Sequence, residues 1–179
     1  TDYDTKALTS ALVYGFLNTI SDGSVNFVNA LSVAESRGIV VEENVVHHVQ
    51  DFANQIILSV TCEDKTNLIA GTLFGSKNYR FVRFNDFYLE VIPDGYILAL
   101  HNYDRPGVIG KAASILGNHN INVSRMQLTL DKTVQPGSKE SCLQEAVSFI
   151  NIDQPVNEAI LEELMKLENI ITVHQIDLN

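Results

Sequence analysis

Apolar residues first recur at helical spacing, where Ala7, Ala11, Tyr14 and Leu17 share one face of the stretch Lys6 to Ile20. Asp4 or Thr5 is placed to cap that helix, and Ser21-Asp22-Gly23-Ser24 breaks it. A shorter helix is predicted over Asn29 to Arg37, closed by Gly38, where a left-handed cap is easiest. Ile39-Val40-Val41 then reads as a β-branched strand. From Gln55 the texture becomes β. The runs Ile56 to Thr61, Asn67 to Phe74, Tyr79 to Phe84 and Phe87 to Ile92 are short, apolar and separated by polar turns, as in antiparallel hairpins. Pro93-Asp94-Gly95 is a strong turn, and the domain boundary is placed there, giving domains 1–93 and 94–179.

The second half reads βαββαβ: strand Tyr96 to His101, helix Pro106 to Asn118, strand Ile121 to Leu130, a polar loop from Asp131 to Ser141, strand Leu143 to Ile152, helix Val156 to Leu167 and strand Ile170 to Leu178. This order describes a ferredoxin-like fold with both helices on one face of an antiparallel sheet, so the chain is α+β throughout. Two details add to it. Ile121 and Val123 occupy one parity while Met126, Leu128 and Leu130 occupy the other, which a β-bulge near Ser124-Arg125 would reconcile. Leu143 to Ile152 is apolar on both parities, so the sheet face away from the helices is expected to meet another domain or subunit.

Composition narrows the function. With 12 Lys and Arg against 22 Asp and Glu the formal charge is −10, and no basic run exists, which argues against a nucleic-acid or anionic-membrane partner. No segment approaches the ~18 apolar residues of a membrane span. Cys62 and Cys142 lack disulfide or zinc-ligand spacing, so a reducing cytoplasm is the expected setting. Cys62, in an apolar strand, is expected to be buried and inert. His47-His48 point different ways on regular structure and make a poor metal pair. Glu158, Glu162, Glu163 and Glu168 read as the solvated side of the last helix. The chain starts Thr1-Asp2-Tyr3-Asp4, without initiator Met or signal pattern, as though cut from something longer.

Chemistry concentrates in Leu100-His101-Asn102-Tyr103-Asp104-Arg105-Pro106-Gly107-Val108-Ile109-Gly110. A strand ends in a tight turn and a helix begins at or beside Pro106, which suits a first helical position. The N–H groups of Gly107, Val108 and Ile109 at the positive helix end suit a carboxylate, and Gly107 and Gly110 allow close approach. Asp104 offers a partner for an ammonium group, and Asn102 both donates and accepts. Asn122, opening the next strand, is expected beside this turn. Together these groups match a zwitterionic amino acid. An Asp before such a helix is also an ordinary cap. The Gly-x-x-Gly also suggests an RNA-binding KH loop, a reading that fails on charge.

The segment Asn102 to Gly110, followed by Ile115-Leu116-Gly117-Asn118-His119-Asn120-Ile121-Asn122-Val123, resembles the ACT domain of phosphoglycerate dehydrogenases. Val25-Asn26-Phe27-Val28-Asn29-Ala30, Glu35-Ser36-Arg37-Gly38-Ile39 and Ala70-Gly71-Thr72-Leu73-Phe74-Gly75 resemble the intervening, allosteric substrate-binding domain of the longer enzymes. The resemblance implies pairing of ACT domains into an eight-stranded sheet across two subunits, with L-serine or a similar small amino acid bound at the seam. It places effector contacts at Asn102, Asp104 and Asn122, with Arg105 and the helix start around them. It also suggests an anion site, for which Arg80 and Arg83 are the candidates, although Asn85-Asp86-Phe87-Tyr88 departs from the His-bearing turn of some members. No Gly-x-Gly-x-x-Gly turn or catalytic set is present, so the chain is expected to hold no cofactor and no activity of its own, the NAD chemistry lying in the parent enzyme. A regulatory part of an iron–sulphur L-serine dehydratase, and a structural pairing module without effector, are the alternatives.

Overall fold

The computed structural model describes residues 5–21, 23–46, 52, 54–130 and 144–179. The Asp131 to Ser141 loop, Cys142, His47-His48 and the Asp4 capping position lie outside the described residues. The chain divides into two compact units, Thr1–Asp51 and Phe52–Asn179.

In the first unit, α1 (Lys6–Asn18) follows Thr5, and α2 is Ala30–Ser36. Both helices turn a narrow apolar face to a small core of Leu17, Val25, Ala30 and Ala34. Asn26 accepts from the N–H groups of Val28 and Asn29, while Asn29 accepts from Asn26 N–H, so two side chains satisfy donors at the α2 entry. At its end Gly38 N–H donates to Glu35 O and Ile39 N–H to Ala34 O, with Gly38 at φ +74°, a Schellman closure. Ile39 packs on the core as the apolar partner of that motif. The strand expected at Ile39-Val40-Val41 does not form. Its residues have no ladder partner among the described ones, and β-branching alone does not make a strand.

The hydroxyls of Thr5 and Thr9 donate to the Glu43 carboxylate, which lowers its pKa below the usual value of 4.5. A depressed carboxylate stabilises the fold above its unfolded value, and that contribution is lost as pH falls through the folded one. A carbon-detected NMR titration should therefore place the Glu43 midpoint below that of Thr5→Ala/Thr9→Ala protein. Coincident midpoints would dismiss these hydrogen bonds.

The second unit contains two sheets. Strands β1 (Ile56–Cys62), β2 (Lys65–Phe74), β3 (Asn78–Phe84) and β4 (Phe87–Val91) form an antiparallel meander in chain order. The two-residue turn between β3 and β4 has Asn85 at φ +49°, and Asn85 also ties itself to β2 through Leu68 N–H and O. Cys62, expected inside, is exposed: among the described residues β1 is an edge strand, and Cys62 sits beside its turn.

The remaining elements are β5 (Tyr96–Tyr103), α3 (Val108–Asn118), β6 (Val123–Leu130), β7 (Glu145–Ile152), α4 (Glu158–Met165) and β8 (Ile170–Asp177). Their sheet has the order β6-β7-β5-β8, all antiparallel, as in the ferredoxin-like fold. Leu98, Leu100, Ile150 and Ile152 face the helices and pack on Ala112, Leu116, Ile160 and Leu164. The opposite parity, Ile97, Val147 and Phe149, packs on Phe87, Leu89 and Val91 of β4. The doubly apolar β7 is thus explained by sheet-on-sheet packing within one unit. The bulge expected near Ser124-Arg125 is present, as the β6–β7 register shifts between Val123 and Arg125. Asn151, 5% exposed, donates to the carbonyls of Ile92 and Asp94 and so pins the connection between the sheets. No helix among the described residues is long and apolar enough to cross a membrane.

Candidate functional site

At the end of β5 the chain is held on both sides before it turns. Tyr103 N–H donates to Asn169 O, and Asp104 N–H to Gln144 O at 2.7 Å. These two tethers fix where Asp104 and the following turn sit, and the sequence reading had no signal for them because both acceptors are backbone carbonyls. Asp104 and Arg105 are exposed beyond the sheet end.

The helix starts later than expected. Pro106 precedes it by two residues, and Gly107 is the capping residue at φ +88°, a conformation that only glycine adopts without strain. Val108 N–H is drawn back to Arg105 O at 3.3 Å, and Gly107 O accepts from Lys111. Gly107 has no side chain to cap α3, so among the described residues its positive end stays available around Ile109 and Gly110. Val108 is buried and Ile109 half-buried, while Gly107 and Gly110 are open to space around them. Both glycines line a shallow groove between α3 and α4 with Lys111, Ser114, Glu163 and Lys166.

Asn102 lies beneath this turn on the helix-facing side of the sheet, 1% exposed. Its Nδ2–H donates to Tyr103 O at 2.9 Å, but its Oδ1 is buried without a partner. A buried, unpaired amide oxygen costs about 1–3 kcal/mol. His101, one residue earlier, points the other way, bonding Glu145 at 2.6 Å and meeting the ring of Phe87 edge-on.

Asn122 is not beside the turn. It precedes Val123, which pairs with Ile152, which in turn pairs with Tyr96 at the start of β5. Asn102 is six residues along that strand, about 20 Å away at the usual rise. The physical reason is topological: two strands joined by a crossover helix run parallel, so the second starts where the first does. Within one chain Asn122 instead donates its N–H to Asp153, at 3.0 Å.

Nor do the two candidate anion ligands converge. Arg80 lines a pocket between the sheets, paired to Glu90 at 3.4 Å, with Arg125, Gln127 and Asn151 around it. Arg83 donates to Asn85 O and lies 5.3 Å over the ring of Tyr88, outside that pocket. Arg125 was missed in the sequence because only the bulge aims β6 toward β4 at that point. Asn151, a polar residue on the β4-facing side of β7 and paired with Arg125, was the available signal.

Comparison with known proteins covers nearly the whole chain. Residues 1–85 match the model of the D-3-phosphoglycerate dehydrogenase intervening domain, and residues 96–169 that of the ACT domain. The D-3-phosphoglycerate dehydrogenase of Archaeoglobus fulgidus is 32% identical over 98% of this chain, and that of Bacillus subtilis 33% over 98%. In each case the matched region is 32% of the relative. The chain therefore spans about a third of the length of these curated relatives.

Proposed function

Because this chain belongs to the D-3-phosphoglycerate dehydrogenase family, carrying its intervening and ACT modules, we propose that it is the L-serine sensor of such an enzyme and pairs with a second copy to complete the sensor. The intervening domain is assigned to residues 1–93 and the ACT domain to 94–179. In the parent enzyme, a cytoplasmic NAD-dependent dehydrogenase of serine biosynthesis, serine would lower turnover by binding one arrangement of subunits better than another.

The observation that carries this reading is the buried, unpaired Asn102 oxygen beneath an uncapped helix start with Asp104 exposed beside it. Amides of the helix start receive the carboxylate, Asp104 the ammonium group, and Asn102 the side-chain hydroxyl. Arg105 adds positive charge at the mouth.

Pairing supplies Asn122. Among the described residues β6 is an edge of the ACT sheet, with Met126 and Leu128 partly exposed. Leu130, its last residue, shares the register line of Ala146 and Asn102, so the strand ends at the effector turn. If two β6 edges join antiparallel about a two-fold axis, the start of one meets the end of the other. Asn122 of the partner subunit then arrives at the turn that its own chain keeps about 20 Å away. For the anion site Arg80 is retained; Arg83, committed to Asn85 and Tyr88, is set aside.

Isothermal titration of the chain with L-serine tests the proposal. Saturable binding in the micromolar to sub-millimolar range, about −5 to −8 kcal/mol, is expected, and Asp104→Ala should abolish it. Absence of heat and of thermal stabilisation at millimolar serine would reject serine sensing and leave a pairing module.

A further inference from the structure

Among the described residues, two buried side-chain oxygens of the ACT sheet lack hydrogen-bond partners, Asn102 Oδ1 and Ser148 Oγ, and the strand register makes them neighbours. Asn102 pairs with Ala146 and Leu100 with Ser148. Ser148 is two residues from Ala146, hence on the same face as Asn102 and one diagonal step away, roughly 7–8 Å between Cα atoms. That face is the one covered by α3 and α4, since Leu98, Leu100, Ile150 and Ile152 share its parity. The core there is built of Leu, Ile, Val and Ala side chains, which offer no donor or acceptor. Ser148 is 0% exposed and Asn102 1%, so water from outside does not reach either freely.

The chemistry of the pair is complementary. Asn102 Oδ1 only accepts, and the Ser148 hydroxyl donates. One Asn102 Nδ2–H is spent on Tyr103 O, at 2.9 Å. A hydroxyl in an all-apolar layer is costly unless it is used, and alanine would serve packing better.

We infer that Ser148 is a positioning residue of the effector turn: after a side-chain rotation Ser148 Oγ–H donates to Asn102 Oδ1, and the turn closes on its ligand around that pair. That bond uses one lone pair of Oδ1 and fixes the plane of the Asn102 amide, leaving the second lone pair and the remaining N–H for the ligand's polar side group. The effect on affinity rests on the effector site proposed above; the pairing itself does not.

The test uses the whole chain with Ser148→Ala, and with Ser148→Cys, which keeps the volume but offers a weaker donor. Two readouts are taken: L-serine affinity, and the NMR resonances of the Asn102 side-chain amide with and without serine. Both variants should bind serine about tenfold more weakly, as for loss of one hydrogen bond, with thermal stability unchanged or raised. Both should also shift the Asn102 amide resonances. A weakened Ser148→Ala beside an unaffected Ser148→Cys would assign the effect to packing and overturn the inference. So would raised stability with affinity and resonances unmoved. If the wild-type chain binds no serine, the sensor reading fails, and the amide resonances without ligand decide the pair: shifts in both variants sustain it, unmoved resonances overturn it.

Discussion

Phe149→Ala should destabilise the second unit by about 3–5 kcal/mol, the range for removing a buried aromatic ring. Phe149 is 8% exposed and lies on the β7 face turned away from the helices. Its ring meets that of Phe84 edge-on at 6.0 Å and packs with Phe87, Leu89 and Val91. Truncation opens a cavity between two sheets, each stiffened by its own hydrogen-bond ladder, so collapse around the gap is limited. Phe149→Leu keeps most of the volume and should cost much less. Denaturant unfolding followed by near-ultraviolet dichroism measures both. A loss below about 1 kcal/mol for the alanine variant would show that the sheet-on-sheet contact contributes little.

The second large effect concerns the origin of Asn122. Asp104→Ala and Asn122→Ala chains should each fail to bind serine as homodimers, because each removes one ligand from both seams. Mixed together they should recover it. In a heterodimer one seam loses both groups, but the other joins an intact Asp104 to an intact Asn122. Statistical exchange makes half the dimers mixed, so about a quarter of wild-type capacity should return. Titration of the mixture against each parent measures this. No recovery after verified subunit exchange would place Asn122 outside the site, because the register already prevents a contribution from the same chain.

Much of the fold was legible because periodicity is local. Each strand of the second unit and both of its helices were recognisable from spacing, and the parity change between Val123 and Met126 disclosed the bulge. The doubly apolar β7 announced a second packing surface, although not that β4 would supply it. What failed depended on partners. Ile39-Val40-Val41 had strand composition but no ladder to join, and Cys62 had apolar neighbours but lay at a sheet edge. Asn122 was placed by adjacency in sequence, whereas the crossover sends it to the opposite sheet end. At the candidate site, residue types pointed to Asn102 and Asp104. The backbone tethers from Asn169 and Gln144, and the orphan hydroxyl of Ser148, become visible only with a register.

The packing of β4 on β5 and β7 bears on how such modules are exchanged during evolution. A recombination point at Pro93 looks ideal, since the turn there lies between two recognisable domain matches. Yet a cassette cut at that turn would carry Ile97, Val147 and Phe149 outward on a bare apolar surface, and would leave the Asn151 amide without the Ile92 carbonyl. Grafting onto a foreign enzyme therefore requires that the donor bring β4 or that the recipient supply a matching apolar sheet. The family matches end at residue 85 and resume at residue 96, but the unit that buries its own apolar faces is the pair of sheets.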